Sequence, residues 1–447
     1  MKDYLNKLPK EVQDLIHLAG DIARSNNMPV YLVGGFVRDL ILGVKNLDLD
    51  IVVEGNGIKF AEDFAARLKA RPTRHKRFGT ATIILKPHLN PVRDKTSKTS
   101  DGRLRQPVSN GVKIDIATAR KEFYPQPAHL PLVTSGSLKD DLFRRDFTIN
   151  AMAISISYEN FGKLLDLFGG KVDLENKKIR VLHNISFIDD PTRILRAIRF
   201  EKRYNFRIEP KTLRLLKEAV KLKMLEKVQP QRLRDELILI LKEKRPLKYV
   251  MRIQKLAGFG FINPRLYVSK KTYGLLRSIE SQINWFKRAY PKRRQLDTWL
   301  IYFMGLIDSL NINDIKSVCK RFAFRRGEEK RILVYKRIGR EFILNLSQDK
   351  IKPSKIFRLL EPLSYEVIIL IKAKSKNRNI KRHIEDFFEI YNGMRIYICG
   401  DDLRRLGVAP GPYYQKIFTK VLNARLEGLI RTREEELALI KKLVTIK

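Results

Sequence analysis

The chain has 447 residues, 44% of them apolar, and carries 90 Lys+Arg against 49 Asp+Glu, a formal charge of +41. That length can bury a sizeable core without staples, while two cysteines 80 positions apart, Cys319 and Cys399, and only six histidines exclude a disulfide scaffold and argue against a zinc module. A polyanion is the natural partner of so basic a chain, and any metal must sit on carboxylates.

The first twenty residues mix Lys2, Asp3, Lys7, Lys10, Glu11 and Asp14 with apolar positions at helical spacing, leaving no continuous apolar stretch of the kind that exports a chain. Apolar runs such as Val367–Ile371 fall far short of the roughly 20 residues that span a bilayer, so a soluble, cytoplasmic protein with no membrane partner is expected. Residues 29–55 then read as strand (29–33), the Gly34-Gly35 turn, helix (36–42), a break at Gly43 and strand (47–53). A helix over 58–68 precedes a strand at 80–85. The stretch 86–111, rich in Pro, Ser, Asn and charge, reads as a long flexible insertion before a strand at 112–117. From about residue 185 the pattern turns helical: 191–204, 210–219, 229–242, 364–372, 413–429 and 433–443. Breaks near 244–247, 288–294 and 400–412 are the best boundary candidates. Residues 1–150 hold 25 Lys+Arg against 17 Asp+Glu and the remainder 65 against 32, so the positive charge is mostly C-terminal. That asymmetry suits an N-terminal portion doing chemistry with carboxylates and a longer portion gripping a phosphate backbone.

Asp48-Leu49-Asp50 lies in a predicted strand, so both carboxylates project from one face while Leu47, Leu49 and Ile51 face the core. Adjacent like charges are costly without a cation, and oxygen-only ligands suit Mg²⁺. Asp115, alternating with Ile114 and Ile116, can add a third carboxylate from a neighbouring strand and make a two-metal site. Gly34 and Gly35 open a helix and let a phosphate approach backbone N–H groups, with Arg38 one turn on to meet its charge. Each feature also has a plainer reading: a solvated strand face for Asp48 and Asp50, a tight turn for the glycines, a surface ion pair for Arg38 and Asp39. Asp190, just before Pro191, is well placed to cap the next helix.

Taken together, the run from Leu32 through Gly34-Gly35-Phe36-Val37-Arg38-Asp39 to Gly43, followed by Asp48-Leu49-Asp50, resembles the signature of class II tRNA nucleotidyltransferases and bacterial poly(A) polymerases. A second motif follows in order as Arg144-Arg145-Asp146-Phe147-Thr148-Ile149-Asn150, and a third as Asp189-Asp190-Pro191-Thr192-Arg193 through Arg199-Phe200. The resemblance covers about 28–250 strongly; beyond it only 400–412 and 428–436 look similar to the family's tail.

The resemblance implies an α+β protein: a polymerase-β-like nucleotidyltransferase head (1–155), then an all-helical neck (156–250), body (251–390) and tail (391–447) that bind tRNA. It implies metal ligation by Asp48 and Asp50, with Asp115 as the third catalytic acid and Mg²⁺ or Mn²⁺ as the cofactor. Gly34, Gly35, Arg38, Arg145, Asp146 and Asn150 correspond to positions that hold the nucleotide and its ribose. Asp190 and Arg193 take the places that read the Watson–Crick edge of ATP or CTP, and Arg196 and Arg199 line the same pocket. In chemistry this agrees with the residues themselves, since a carboxylate accepts from an exocyclic amino group and a guanidinium donates to ring or carbonyl acceptors. One departure is Asp189, where the family usually has Glu, a shorter acid to support Arg193. Residues 119–131 occupy the place of the family's flexible loop. Trp285 and Trp299 are candidates for base stacking, though most aromatics of the helical half should be core. The implied activity is template-independent addition of CMP, AMP or both to the 3′ end of tRNA, gripped by its acceptor and T arms, with release of pyrophosphate. Poly(A) polymerase, a CC-adding or A-adding enzyme, and more remotely a non-catalytic RNA-binding protein, are the alternatives.

Overall fold

The computed structural model describes residues 1–44, 48–85 and 111–445. The predicted insertion, apart from Gly111, lies outside these residues, as does Leu47. The chain divides into two compact units, Met1–Glu236 and Leu237–Lys447, a coarser partition than head, neck, body and tail.

In the first unit the described strands up to residue 165 are β1 (Val30–Val33), β2 (Leu49–Val53), β3 (Thr73–His75), β4 (Thr80–Leu85), β5 (Val112–Thr118), β6 (Arg120–Phe123), β7 (Leu132–Ser135), β8 (Ala153–Ser155) and β9 (Leu164–Leu165). Seven of them form one mixed sheet in the order β3-β4-β5-β2-β1-β8-β9. Only β2 and β5 run parallel, and their register sets Leu49 beside Ile114, Asp50 beside Asp115 and Ile51 beside Ile116. Because side chains alternate, Leu49, Ile51, Ile114 and Ile116 are buried on one face while Asp50 and Asp115 share the other. The helix Gly57–Arg67 packs on the sheet through buried Phe60, Ala61 and Phe64. Its first residue must be small, since a Cβ at Gly57 would lie 2.6 Å from the Thr118 amide nitrogen. On the opposite face Val33, Val52, Ala119, Leu138, Leu142, Ala151 and Ala153 form a second core layer.

Residues 119–131, expected as a loop, are partly an antiparallel hairpin, β6 pairing with β7 from Arg120–Ser135 to Phe123–Leu132. The helical region begins as expected, with helices at Thr192–Arg203, Pro210–Lys221 and Pro230–Leu241, but it also contributes a two-residue strand, Arg207–Ile208, parallel to Lys178–Ile179.

The second unit is helical throughout its described residues. The helix Thr298–Leu306 is buried along its whole length and packs with Lys270–Ala289 and Tyr365–Lys374. Fully buried Glu366 is held there by Arg294 at 2.9 Å, Arg331 at 3.3 Å and the Asp297 amide at 3.1 Å; those bonds outweigh the cost of burial and hold its carboxyl down at about 2. Trp299 is core, stacked 6.2 Å from Phe324, and the Trp285 ring is covered by the Lys372 ammonium at 2.9 Å. Neither ring is thus presented as an open stacking platform. Ile398, Leu403, Ile417, Val421 and Ile440 give the C-terminal segment a small core of its own. Among the described residues no helix is long and apolar enough to cross a membrane.

Candidate functional site

The parallel pairing of β2 with β5 does what sequence alternation alone could not: it brings Asp50 and Asp115, 65 positions apart, side by side. Asp48 is exposed just ahead of β2. Burial pushes the Asp50 carboxyl up to about 6; Arg145 opposes the shift, and the negative charges of Asp115 and Asp48 add to it. Asp115 accepts a hydrogen bond from the Thr82 hydroxyl at 2.6 Å and is also bonded to the Lys113 ammonium. Burial is the main cause of that rise, and the all-oxygen donors of this face fit a hard divalent cation. Among the described residues no three His, Cys, Asp or Glu side chains converge on a single point. Asp48 and Asp50 match instead the commoner arrangement in which one or two carboxylates share an ion with substrate phosphates.

The Gly34-Gly35 turn joins β1 to the helix Gly35–Ile41. Gly34 has φ +68°, and a Cβ there would collide with the Arg145 guanidinium. This is the position at which the backbone itself demands glycine. Gly34→Ala should therefore cost about 1–3 kcal/mol, read as a lowered denaturant midpoint at unchanged slope; an unaltered midpoint would show that the turn tolerates a side chain.

Arg38 is not a surface group. It is buried, donating from Nε to Asp39 at 2.9 Å and from a terminal nitrogen to Asn150 at 2.5 Å, with its guanidinium 4.8 Å from the Tyr204 ring centre. The Asn150 amide donates to Asp146 at 2.8 Å, and Asp146 also accepts two bonds from Arg196, at 2.9 and 2.6 Å. Arg196 in turn bonds Glu236 at 3.0 Å, and Arg199 approaches the same carboxylate at 3.3 Å. Arg145 is steered by buried Asp141 at 2.9 Å, which Arg144 also holds at 2.7 Å. Although Asp146 is deeply buried, the Arg196 charge and the Asn150 bond hold its carboxyl down at about 2.

Ahead of the helix Thr192–Arg203, Asp190 accepts from the Thr192 amide at 3.1 Å and hydroxyl at 2.6 Å, so it does secure the first turn. Its second oxygen accepts from Arg232 at 2.8 Å. Buried Arg193 is fixed by the Ser186 hydroxyl at 2.6 Å and the Arg144 carbonyl at 2.7 Å. Asp189, the departure noted in the sequence, lies instead 3.9 Å from His183.

A cavity of about 750 Å³ connects these groups. Its lining includes Gly35, Arg38, Asp50, Arg145, Asp146, Asn150, Asp190, Arg193, Arg196 and Arg199; the adjoining Gly34, Asp48 and Asp115 are not part of it. It also contains groups to which the sequence assigned no individual site role: Arg120, Glu122, Tyr124, Arg144, Arg232 and Glu236. Glu122 on β6 is a hub, accepting from Arg120 at 3.0 Å, Arg144 at 3.1 Å and Tyr124 at 3.1 Å. The period-2 pattern of Arg120, Glu122 and Tyr124 was the available signal for one polar strand face.

The poly A polymerase head domain family matches residues 30–180, and the family described as the probable RNA and SrmB-binding site of polymerase A matches 205–267. The A-adding tRNA nucleotidyltransferase of Geobacter sulfurreducens is 38% identical over 98% of this chain and 47% of its own length. That of Aquifex aeolicus is 36% identical over 79% of this chain and 40% of its own. The chain thus spans about half, or less, of the length of these curated relatives. The structure of the Thermotoga maritima CCA-adding enzyme complexed with tRNA superposes with a TM-score of 0.72 at 34% identity, covering 100% of this chain and 98% of that one.

Proposed function

The chain belongs to the family of tRNA nucleotidyltransferases and bacterial poly(A) polymerases, and from that membership we propose that it transfers CMP or AMP from CTP or ATP to the 3′ end of tRNA in the cytoplasm, releasing pyrophosphate. The observation that carries this reading is one cavity lined both by Asp50, whose strand neighbour is Asp115, and by Asp190 and Arg193. Carboxylates suited to a cation and a pair of groups suited to a base edge thereby share a single chamber. The narrower reading, AMP addition alone, is favoured by the relatives of Geobacter and Aquifex, both named A-adding.

In the reaction the 3′-hydroxyl oxygen of tRNA bonds to the α-phosphorus, its proton leaves, and the bond to the pyrophosphate oxygen breaks. Asp48 and Asp50 would hold a divalent cation, Mg²⁺ or Mn²⁺, which would supply a lowered hydroxyl pKa and offset charge on the phosphates. Asp115 orients or receives the hydroxyl proton. Arg145 and Arg38 supply positive charge along the triphosphate, while Asp146 and Asn150 fix the ribose end. Asp190 accepts from the exocyclic amino group shared by adenine and cytosine, and Arg193 donates to the ring edge beside it. Arg196 and Arg199 act through the carboxylates they bind, keeping that wall rigid. Within the finer division we propose, head 1–155, neck 156–250, body 251–390 and tail 391–447, the basic C-terminal portion grips the acceptor and T arms through phosphate and shape.

The direct test is incubation of purified protein and Mg²⁺ with tRNA transcripts ending at the discriminator base, at C or at CC, with CTP, ATP or both, followed by 3′-end sequencing. Growth to CCA supports the full reaction, and A added only after CC supports the narrower one. Long A tails mean poly(A) polymerase, and no incorporation overturns the catalytic reading. Asp190→Asn keeps an acceptor for the Thr192 amide but presents a donor where the base offers one. It should reduce discrimination between correct and incorrect nucleotides by about 10- to 100-fold, measured as the ratio of kcat/KM values; an unchanged ratio removes Asp190 from base reading.

A further inference from the structure

Lys113 belongs to no motif singled out in the sequence. It stands two residues before Asp115 on β5 and therefore on the same face of the sheet. The β2–β5 register pairs Asp50 with Asp115 and Leu49 with Ile114, and Asp48 stands immediately ahead of β2. Three carboxylates thus act electrostatically on the one ammonium of Lys113. Lys113 bonds one oxygen of Asp115, and Thr82 bonds the other at 2.6 Å. Asp115 therefore has both oxygens engaged. The charges of Asp48 and Asp50 act on the same ammonium.

We propose that Lys113 is the resident counter-ion of this carboxylate face: it neutralises Asp115 while no divalent cation is bound, and an arriving cation displaces it, releasing Asp115 for the reaction. The inference rests on the proposed reading of Asp48 and Asp50 as metal ligands. The Lys113–Asp115 pair is half exposed on both sides, with side-chain exposures of 47% and 38%, so water and salt screen it and a divalent ion can compete with it. A buried pair would have locked the site. Lys113 is thus a positioning residue that sets how much cation the site requires, separate from the groups that touch substrate.

Two measurements on the full chain test this. The first is acylation of lysines by a water-soluble amine reagent, read by peptide mass spectrometry, with no divalent ion, with Mg²⁺ or with Ca²⁺ at constant ionic strength. Labelling of Lys113 relative to Lys10 should rise about fivefold when either ion is present. The second is Mn²⁺ titration followed by electron paramagnetic resonance. Lys113→Met should bind Mn²⁺ about fivefold more tightly than the native chain, and Lys113→Gln provides the same comparison should the methionine variant fold poorly. Native Mn²⁺ binding that survives Asp50→Ala undamaged would overturn the ligand assignment itself. Mn²⁺ binding that depends on Asp50, but with affinity unchanged or weakened in the Lys113 variants and with cation-insensitive labelling, would overturn the counter-ion role and leave the ligand assignment standing.

Discussion

Replacing Asp48 and Asp50 together by alanine is expected to abolish nucleotide addition, lowering the rate by about a thousandfold or more, while tRNA affinity stays within about twofold of native. The magnitude follows from the chemistry: charge stabilisation at a transferring phosphate is worth several kcal/mol, and each 1.4 kcal/mol is about a factor of ten. The fold should survive, because burial and the neighbouring negative charges raise Asp50 to about 6, which marks it as a group the sheet tolerates rather than one that holds the sheet together. Single-turnover incorporation and filter binding on the same preparations separate the two effects. Retained activity would sink the mechanism; lost tRNA binding with lost secondary structure would show that the carboxylates are structural.

Asp146→Ala should produce the largest loss of stability, about 3–5 kcal/mol, because it strips Arg196 of its two closest bonds and Asn150 of its acceptor inside a buried network. Adding Arg196→Met should recover part of that loss by removing the stranded charge, whereas independent contributions would make the double variant worse than either single one. The same residue predicts a pH dependence. Its folded-state carboxyl titrates at about 2 against an ordinary value of 3.8. The protection is fully present above the unfolded value and drains away as pH falls from about 4 to 2; in Asp146→Asn that acid-limb slope should flatten. Urea denaturation at pH 7, 4 and 3 checks both statements.

The strand alternation of Asp48-Leu49-Asp50 and of Ile114-Asp115-Ile116 was legible from sequence because a period of two needs no tertiary information, and the structure has Leu49 and Ile114 buried with Asp50 and Asp115 on the other face. Which strand Asp115 would join was not legible, since pairing across 65 residues leaves no local mark. How the arginines divide their donors was not legible either. Arg38 and Arg196, expected at the nucleotide pocket, line the cavity and also spend donors on Asp39, Asn150, Asp146 or Glu236. An arginine has five donors, and how they are divided between carboxylates and ligand is settled only by residues far away in the chain. The supports of Arg193, a serine hydroxyl and a main-chain carbonyl of Arg144, were invisible for the same reason: neither carries a charge pattern.

The linked side chains Arg38, Asn150, Asp146, Arg196 and Glu236 run from the glycine turn to the helix Pro230–Leu241 in bonds of 2.5 to 3.0 Å. On the proposed reading such a row behaves as a caliper, setting the gap between its two jaws: the place where a phosphate would be cut and the place where a base would be inspected. A loosened link changes that opening at both ends at once. Speed and fidelity are then not independent properties of this protein, and a lineage that drifts at Asp146 or Arg196 should trade them together, whereas drift at Asp190 alone can alter the choice of nucleotide with the cutting jaw left in place.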